Sequence, residues 1–455
     1  MTQEEAIEIL KMGYNVYLTG QAGSGKTFLL NKYIRYLKDN GKGVGVTAST
    51  GIAATHMNGI TIHSFSGMGI KDEISKDDVR KILKKGYIRK KFANTGVIII
   101  DEVSMLSDRQ FDSLNLICQA FKKNEAPFGG MQIVCSGDMF QLPPIERAEK
   151  TSGFIYESEI WQTMNIKICY LEEQYRQKEE DELLKLLNHI RSNRIDDARH
   201  ILESRDFKNI SFGVEPTKLY THNVNVEAIN SAELKKIVEK EKTFLMKSSG
   251  NEYVVESLKR GCLAPEKLNL KIGAKVMFVK NNFEQGYVNG TMGHIVDFSD
   301  ENLPVIKILK GRLIKADFTS WKAEEDGQVL AEISQIPLRL AWAITVHKSQ
   351  GMNLDCAEID LSKSFAYGMG YVALSRLKSL SGLKLVGINE MALMINQEVF
   401  EIDKLLKQRS AKAVKEFLAT PKNQVKTRQE EFLNGLQTIY IVRNKTKKKI
   451  KNIKI

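Results

Sequence analysis

The sequence predicts an α/β protein whose chemistry sits in loops at the carboxyl ends of parallel strands, and three observations carry that expectation. From Asn15 onward, short β-rich runs alternate with helical stretches: Val16-Tyr17-Leu18 precedes a helix from Lys26, in which Leu30, Tyr33, Ile34 and Leu37 recur at helical spacing. The apolar runs Val44 to Thr47, Val97 to Ile100 and Met131 to Cys135 each lead into a loop rich in Gly, Ser, Asp or Thr. A second α/β region begins near Arg176, with a helix at Glu179 to Ile190 and a strand at Lys218 to Tyr220, and resumes over Leu338 to Val386. Between its halves, residues 271–335 hold Lys275 to Val279, Gly293 to Val296 and Val305 to Leu309, separated by Asn-Gly and Asp-Gly turns, which predicts a small β-barrel insertion.

The bulk properties fit a multidomain enzyme. At 455 residues the chain exceeds an ordinary domain of about 100 to 200 residues. Its 42% hydrophobic and 27% charged residues exclude a disordered or fibrous chain. The net charge of +12 favours an anionic partner, nucleic acid being the commonest. Part of that charge lies in Val442 to Ile455, where Arg443, Lys445, Lys447, Lys448, Lys449, Lys451 and Lys454 are unopposed by any carboxylate side chain. This reads as a solvated tail, with an auxiliary phosphate-binding arm as the alternative. The five cysteines form no Cys-x-x-Cys pair, so neither zinc nor a disulfide framework is signalled. No apolar run reaches the roughly 18 to 20 residues that span a bilayer, and the N-terminus resembles no targeting presequence. The expectation is a reducing, soluble compartment without membrane contact: cytoplasmic, with nuclear or mitochondrial settings left open.

Gly20-Gln21-Ala22-Gly23-Ser24-Gly25-Lys26-Thr27 fits G-x-x-x-x-G-K-[ST], directly after a strand and opening a helix. Gly20, Gly23, Ser24 and Gly25 let backbone N–H groups curl around phosphate oxygens. Lys26 reaches the β- and γ-phosphates of ATP, and Thr27 can ligate Mg²⁺. After the apolar strand ending at Ile100 come Asp101, read as the metal carboxylate, and Glu102, read as the base that activates water. A third loop, Gly137 to Pro144, offers the Gln141 amide to γ-phosphate and water, although in isolation it reads as a rigid turn.

Taken with further segments, these loops closely resemble the PIF-type (petite-integration-frequency) DNA helicases of superfamily 1, relatives of the RecD and Dda motors. The additional matches are Val46 to Ala54, Thr61-Ile62-His63-Ser64-Phe65, Pro127 to Gly130, Gln174-Tyr175-Arg176-Gln177, Trp342 to Gly351 and Tyr371 to Arg376. The resemblance implies two RecA-like P-loop lobes with ATP between them, a small wedge insertion in the first and an SH3-like β-barrel insertion in the second. The implied boundaries are 1–175 for the first lobe, 66–92 for the wedge, 176–270 and 336–404 for the second lobe, 271–335 for the insertion and 405–455 for a basic C-terminal extension.

The same resemblance assigns residues. Gln3, ten residues before Gly13, matches the adenine-reading glutamine. Arg176 and Arg376 match the arginines that approach the γ-phosphate, and Gly351 joins the nucleotide set. Contacts to the tracked strand fall on Thr50, Gly51, His63, Phe65, Thr221, Asn223, His347 and Lys348, in which hydroxyls, amides and Lys address phosphates and rings stack on bases. Within the wedge, Phe92 is a candidate support for the strand-separating pin, with a packing role as its alternative. Leu377 stands where the family often has a small residue. The activity implied is ATP- and Mg²⁺-dependent movement 5′ to 3′ on single-stranded DNA with unwinding of forked or tailed duplex, by a monomeric motor serving replication, recombination, repair or telomere maintenance, with possible replication or repair protein partners. The alternative is a DNA-stimulated translocase that displaces proteins without unwinding; a non-enzymatic binding protein is disfavoured by the complete set Lys26, Thr27, Asp101, Glu102 and Gln141.

Overall fold

The computed structural model describes residues 1–69, 71, 73–144, 153–172, 182–203, 216–220, 226–282, 284–308, 311–325, 328–346, 349 and 352–436. Thr2 caps the first helix, α1 (Gln3–Lys11), in a reciprocal capping box with Glu5. There follow β1 (Val16–Gly20), α2 (Lys26–Asp39), β2 (Val44–Ala48), α3 (Gly51–His56), β3 (Ile60–Thr61), α4 (Ile62–Ser66), α5 (Lys76–Leu83), α6 (Gly86–Asn94), β4 (Val97–Asp101), α7 (Asp108–Lys122), β5 (Gln132–Ser136), α8 (Glu159–Thr163) and β6 (Lys167–Leu171). The six strands form one parallel sheet in the order β3-β2-β4-β5-β1-β6. Central strands β1, β4 and β5 are buried along their whole length, as their continuous apolar runs require of a sheet covered on both faces. Parallel pairing brings the carboxyl ends of β1, β4 and β5 to one edge, where the P-loop, Asp101 and Gly137 follow in turn.

The wedge region is two short helices, α5 and α6, laid against α7. Phe92 on α6 is 1% exposed. Its ring stacks on Phe121 at 4.5 Å and meets Phe65 edge-on at 5.2 Å. Phe92 therefore takes the packing role, because a ring enclosed by two others has no face to present at a fork.

The second region supplies α9 (Glu182–Arg191), α10 (Ile195–Glu203), β7 (Thr217–Tyr220) and α11 (Val226–Lys236). The chain then leaves for β8 (Lys242–Leu245), β9 (Lys247–Gly250), α12 (Glu252–Gly261), β10 (Lys267–Leu270), β11 (Lys275–Phe278), β12 (Met292–Phe298), β13 (Pro304–Ile308), β14 (Leu313–Lys315), β15 (Thr319–Glu325), β16 (Gln328–Gln335) and β17 (Leu338–Leu340). It returns with β18 (Ala343–Thr345), β19 (Ala357–Leu361), α13 (Met369–Leu374) and β20 (Leu383–Ile388), which complete a parallel sheet in the order β18-β7-β19-β20. The intervening strands form antiparallel sheets, β14-β13-β12-β11-β17, β15-β16-β9 and β10-β8. Among the described residues these remain open rather than closing into the expected barrel, since β14 and β17 end the largest of them as edges. Leu338 to Leu340, expected to open the second half of the lobe, pair instead with β11, and the parallel sheet resumes at Ala343.

The last helices, α14 (Gln397–Ala419) and α15 (Lys422–Gly435), return to the first sheet. Along edge strand β6, the Tyr170 amide donates to Ser410 Oγ at 3.0 Å, and Lys167 pairs with Glu416 at 2.6 Å. Farther on, the Arg428 guanidinium lies 4.0 Å from the Tyr14 ring centre. Phe432 packs over Gly13, whose φ of +80° and lack of a side chain both matter: a Cβ there would lie 2.3 Å from the Phe432 ring.

Candidate nucleotide site between the two parallel sheets

The P-loop backbone needs its glycines: Gly23 and Gly25 have φ of 92° and 82°, and a Cβ on Gly20 would lie 2.5 Å from the Leu171 carbonyl oxygen. Lys26 Nζ donates to the carbonyl oxygens of Gly20 and Gln21 at 2.7 and 2.9 Å, holding the ammonium under the loop. Ser24 Oγ is buried without a hydrogen-bond partner in a loop built of N–H donors, which fits an anionic ligand such as a phosphate chain. Gln3 Nε2 donates to the Ser24 carbonyl at 3.3 Å, so the capped start of α1 is anchored beside the loop.

Thr27 Oγ1 lies 3.5 Å from Asp101 Oδ2. One hydroxyl and one carboxylate suit Mg²⁺, which keeps several waters and takes only one or two protein oxygens. Among the described residues no group of three or more His, Cys, Asp or Glu could hold a metal.

Glu102 is set by strain and burial. Its backbone is left-handed, φ 54° and ψ 43°, a conformation disfavoured for a side chain of this kind. Burial, joined by the charge of Asp101, pushes its carboxyl up to about 7, against the opposing pull of Lys26 and Arg376. Burial likewise raises Asp101 and lowers Lys26 from their ordinary values. Arg376 reaches this group from the second sheet. It is 3% exposed, its Nε donates to Val372 O at 3.0 Å, and its charge bears on Glu102. Leu377 beside it is buried and bridges to Leu354, so the larger side chain is absorbed by the core of the second unit.

Sequence reasoning missed a set of residues that join the two units. Arg191 Nη1 donates to both Asp138 carboxylate oxygens at 2.7 and 2.8 Å and to Tyr371 Oη at 3.0 Å. Its Nη2 reaches Tyr170 Oη at 2.9 Å and Asp403 Oδ1 at 3.3 Å. Burial alone would raise Asp138, but Arg191 and Lys26 hold it below the ordinary carboxylate range. A signal was present: Arg191 falls in register with Leu184 and Leu187 on the apolar face of α9, where a charge demands a buried partner.

The expected strand contacts divide. Thr50 is half-buried and accepts from the Ala53 amide at 3.2 Å at the start of α3. Gly51 meets Gly261 at the end of α12 backbone to backbone, where a Cβ would lie 2.4 Å from the Gly261 Cα. His63 is half-buried on α4, and its neighbour Ser64 lies 3.0 Å from Ser257 of α12, Oγ to Oγ. Phe65 corrects the expectation: it is 3% exposed and its ring packs on Phe92, so it has no face for a base. Gln141 is buried in its loop, with its backbone N–H donating to Asp138 O at 2.9 Å. Arg176, Thr221, Asn223, His347, Lys348, Gly351 and the basic segment from Val442 lie outside the described residues.

Nucleotide machinery divided between two parallel sheets, with the phosphate loop on one and an arginine entering from the other, defines the class of two-lobed P-loop motors. The comparisons with known proteins narrow the class. The PIF1-like helicase profile matches residues 3–200, and the profile of the DNA helicase Pif1 2B domain matches residues 253–298. The chain is 41% identical to the ATP-dependent DNA helicase Pif1 of Psychrobacter sp., over 95% of this chain and 75% of that protein. It spans 63% of the length of the longer vertebrate relatives. A crystal structure of Bacteroides sp. Pif1 in complex with ADP-AlF4 aligns with a TM-score of 0.76 at 29% identity, covering 89% of this chain and 96% of that one. The Bacteroides Pif1 helicase in complex with ADP-AlF3 and ssDNA aligns with a TM-score of 0.62 at 28% identity and the same coverages. The chain belongs to the PIF1-like helicase family.

Proposed function

We propose that this chain is an ATP-dependent DNA helicase that moves 5′ to 3′ along single-stranded DNA and separates forked or tailed duplex. The observation that carries the reading is the glycine-built P-loop, with Lys26 held under it, Ser24 Oγ buried inside it and Thr27 beside Asp101, facing the second unit that brings Arg376. Family membership supports the substrate class.

In this reading the P-loop amides and Lys26 cradle the phosphates, and Gln3 reads adenine beside Ser24. Thr27 and Asp101 hold Mg²⁺, which supplies charge neutralisation at the phosphates. Glu102 takes the proton of the attacking water, and Gln141 orients that water. Arg376, with Arg176, answers the charge that builds on the transferring phosphoryl group. Closing and releasing the two units over each ATP moves a strand bound near Thr50, Gly51 and His63, together with Thr221, Asn223, His347 and Lys348. Among the described residues no helix is long and apolar enough to cross a membrane. The five cysteines are free thiols, which supports a reducing setting, in our reading the cytoplasm of a bacterial or phage-infected cell.

Strand displacement on duplexes bearing a 5′ or a 3′ single-stranded tail, with ATP and Mg²⁺, tests the proposal. Unwinding from the 5′ tail alone, lost in Lys26→Ala, is expected. ATP hydrolysis without displacement on either substrate overturns it in favour of a translocase, and displacement from the 3′ tail alone overturns the polarity.

A further inference from the structure

We propose that Arg191 is a positioning residue that couples engagement of the second unit to the phosphate-sensing loop of the first, without touching nucleotide. The inference rests on the ATPase reading above and concerns how that site is switched.

Arg191 is the last residue of α9 and is 5% exposed. Both of its terminal nitrogens are committed to protein: to both oxygens of Asp138, the hydroxyls of Tyr371 and Tyr170, and Asp403. The guanidinium plane lies 4.1 Å from the Phe140 ring centre. An arginine held in this way is anchored against its neighbours and has no free fork for a γ-phosphate, which separates it from Arg376.

What its partners do gives the contact its meaning. The Asp138 carboxylate accepts from the Phe140 amide at 3.2 Å, and the Asp138 carbonyl accepts from the Gln141 amide at 2.9 Å. Asp138 therefore shapes the turn that presents Gln141, and Arg191 fixes Asp138. Tyr371 donates to Asp138 Oδ2 at 3.0 Å, accepts from the Ala22 amide of the P-loop at 3.5 Å, and lies on α13, the helix that leads into Arg376. Asn188, one turn before Arg191 on α9, accepts from Gln21 Nε2 at 2.5 Å. One face of α9 thus grips the P-loop at one point and the Gln141 loop at another. A buried ion pair inside a single unit would stabilise only that unit; this one spans two, and its ends are joined to the P-loop and to the loop that carries Gln141.

The test uses the full chain and compares Arg191→Gln, Arg191→Lys and the charge-neutral pair Arg191→Gln with Asp138→Asn. The readouts are KM for ATP, kcat with and without single-stranded DNA, ATP consumed per base pair unwound, and thermal unfolding. The expected result is a DNA-stimulated kcat reduced about tenfold in Arg191→Lys, which keeps the charge and loses the two-point fork, with KM within twofold and more ATP consumed per base pair. The neutral pair, which removes both buried charges together and so leaves neither unpaired, is expected to fold as the natural chain does and still to show the raised ATP cost. Restoration of kcat and coupling by either Lys or the neutral pair overturns the proposal in favour of a purely structural ion pair. A kcat loss that only follows the folded fraction overturns it as well. If the natural chain itself lacks DNA-stimulated hydrolysis, the underlying ATPase reading fails instead, and the two failures are distinct.

Discussion

The Ser49 hydroxyl donates to the carbonyl oxygen of Glu102 at 2.6 Å, and the Ser49 amide donates to the Asp101 carbonyl at 3.0 Å. The residue immediately before Thr50 and Gly51 is therefore tied to the backbone that presents the Asp101 and Glu102 carboxylates. Ser49→Ala removes the hydroxyl and leaves the amide contact. A lost hydrogen bond of about 1 kcal/mol corresponds to roughly a fivefold rate change. We expect DNA-stimulated hydrolysis to fall by about that factor and DNA-independent hydrolysis by less, as measured by phosphate release with and without single-stranded DNA.

Glu102 gives a pH dependence with a defined sign. Its carboxyl rises from 4.5 to about 7 in the folded nucleotide-free chain, so ionising it opposes folding. That cost is absent below the unfolded value, grows as pH rises between the two, and is constant above the folded one. Glu102→Gln removes it. The variant is expected to gain about 1–3 kcal/mol against urea at pH 8, the lower end reflecting a half-buried group, and little at pH 4. The same variant should lose ATP hydrolysis by about a hundredfold or more.

Phe92 separates packing from fork contact. Truncating a buried aromatic costs about 3–5 kcal/mol, so Phe92→Ala should lower the urea midpoint sharply. Hydrolysis and unwinding per folded molecule should fall together. Loss of unwinding alone, at unchanged stability, would return the pin role to this ring.

Gly13 tests the C-terminal helices. Gly13→Ala forces a side chain onto left-handed backbone and into the Phe432 ring. The expected outcome is undocking of α15, read as faster proteolysis between Pro421 and Gly435, with the ATPase activity of the remainder largely kept.

How much of this was legible in the sequence follows from the range of each interaction. The P-loop and the Asp101-Glu102 pair are contiguous, and the strand preceding each is a pure apolar run, so both could be read directly. Phe65 was misread because a motif identifies a residue type without identifying its face. The spacing of Ile62, Phe65 and Ser66, all buried on α4, held the correct answer. The Arg191 partners Asp138 and Asp403 lie 53 and 212 positions away in the chain. Only the misplaced charge on an apolar helix face hinted that such partners must exist. The antiparallel strands were visible from their turns, whereas closure into a barrel depends on edge pairing that no local pattern encodes.

The return of α14 and α15 to the first sheet means that the chain crosses between the two units twice, once on leaving β6 and again on entering α14. A body attached at one point can swivel freely, but one attached at two points can turn only about the line that joins them. Two covalent attachments leave the units a narrower range of relative positions than one would, and the lengths of the two links bound how far apart the units can travel.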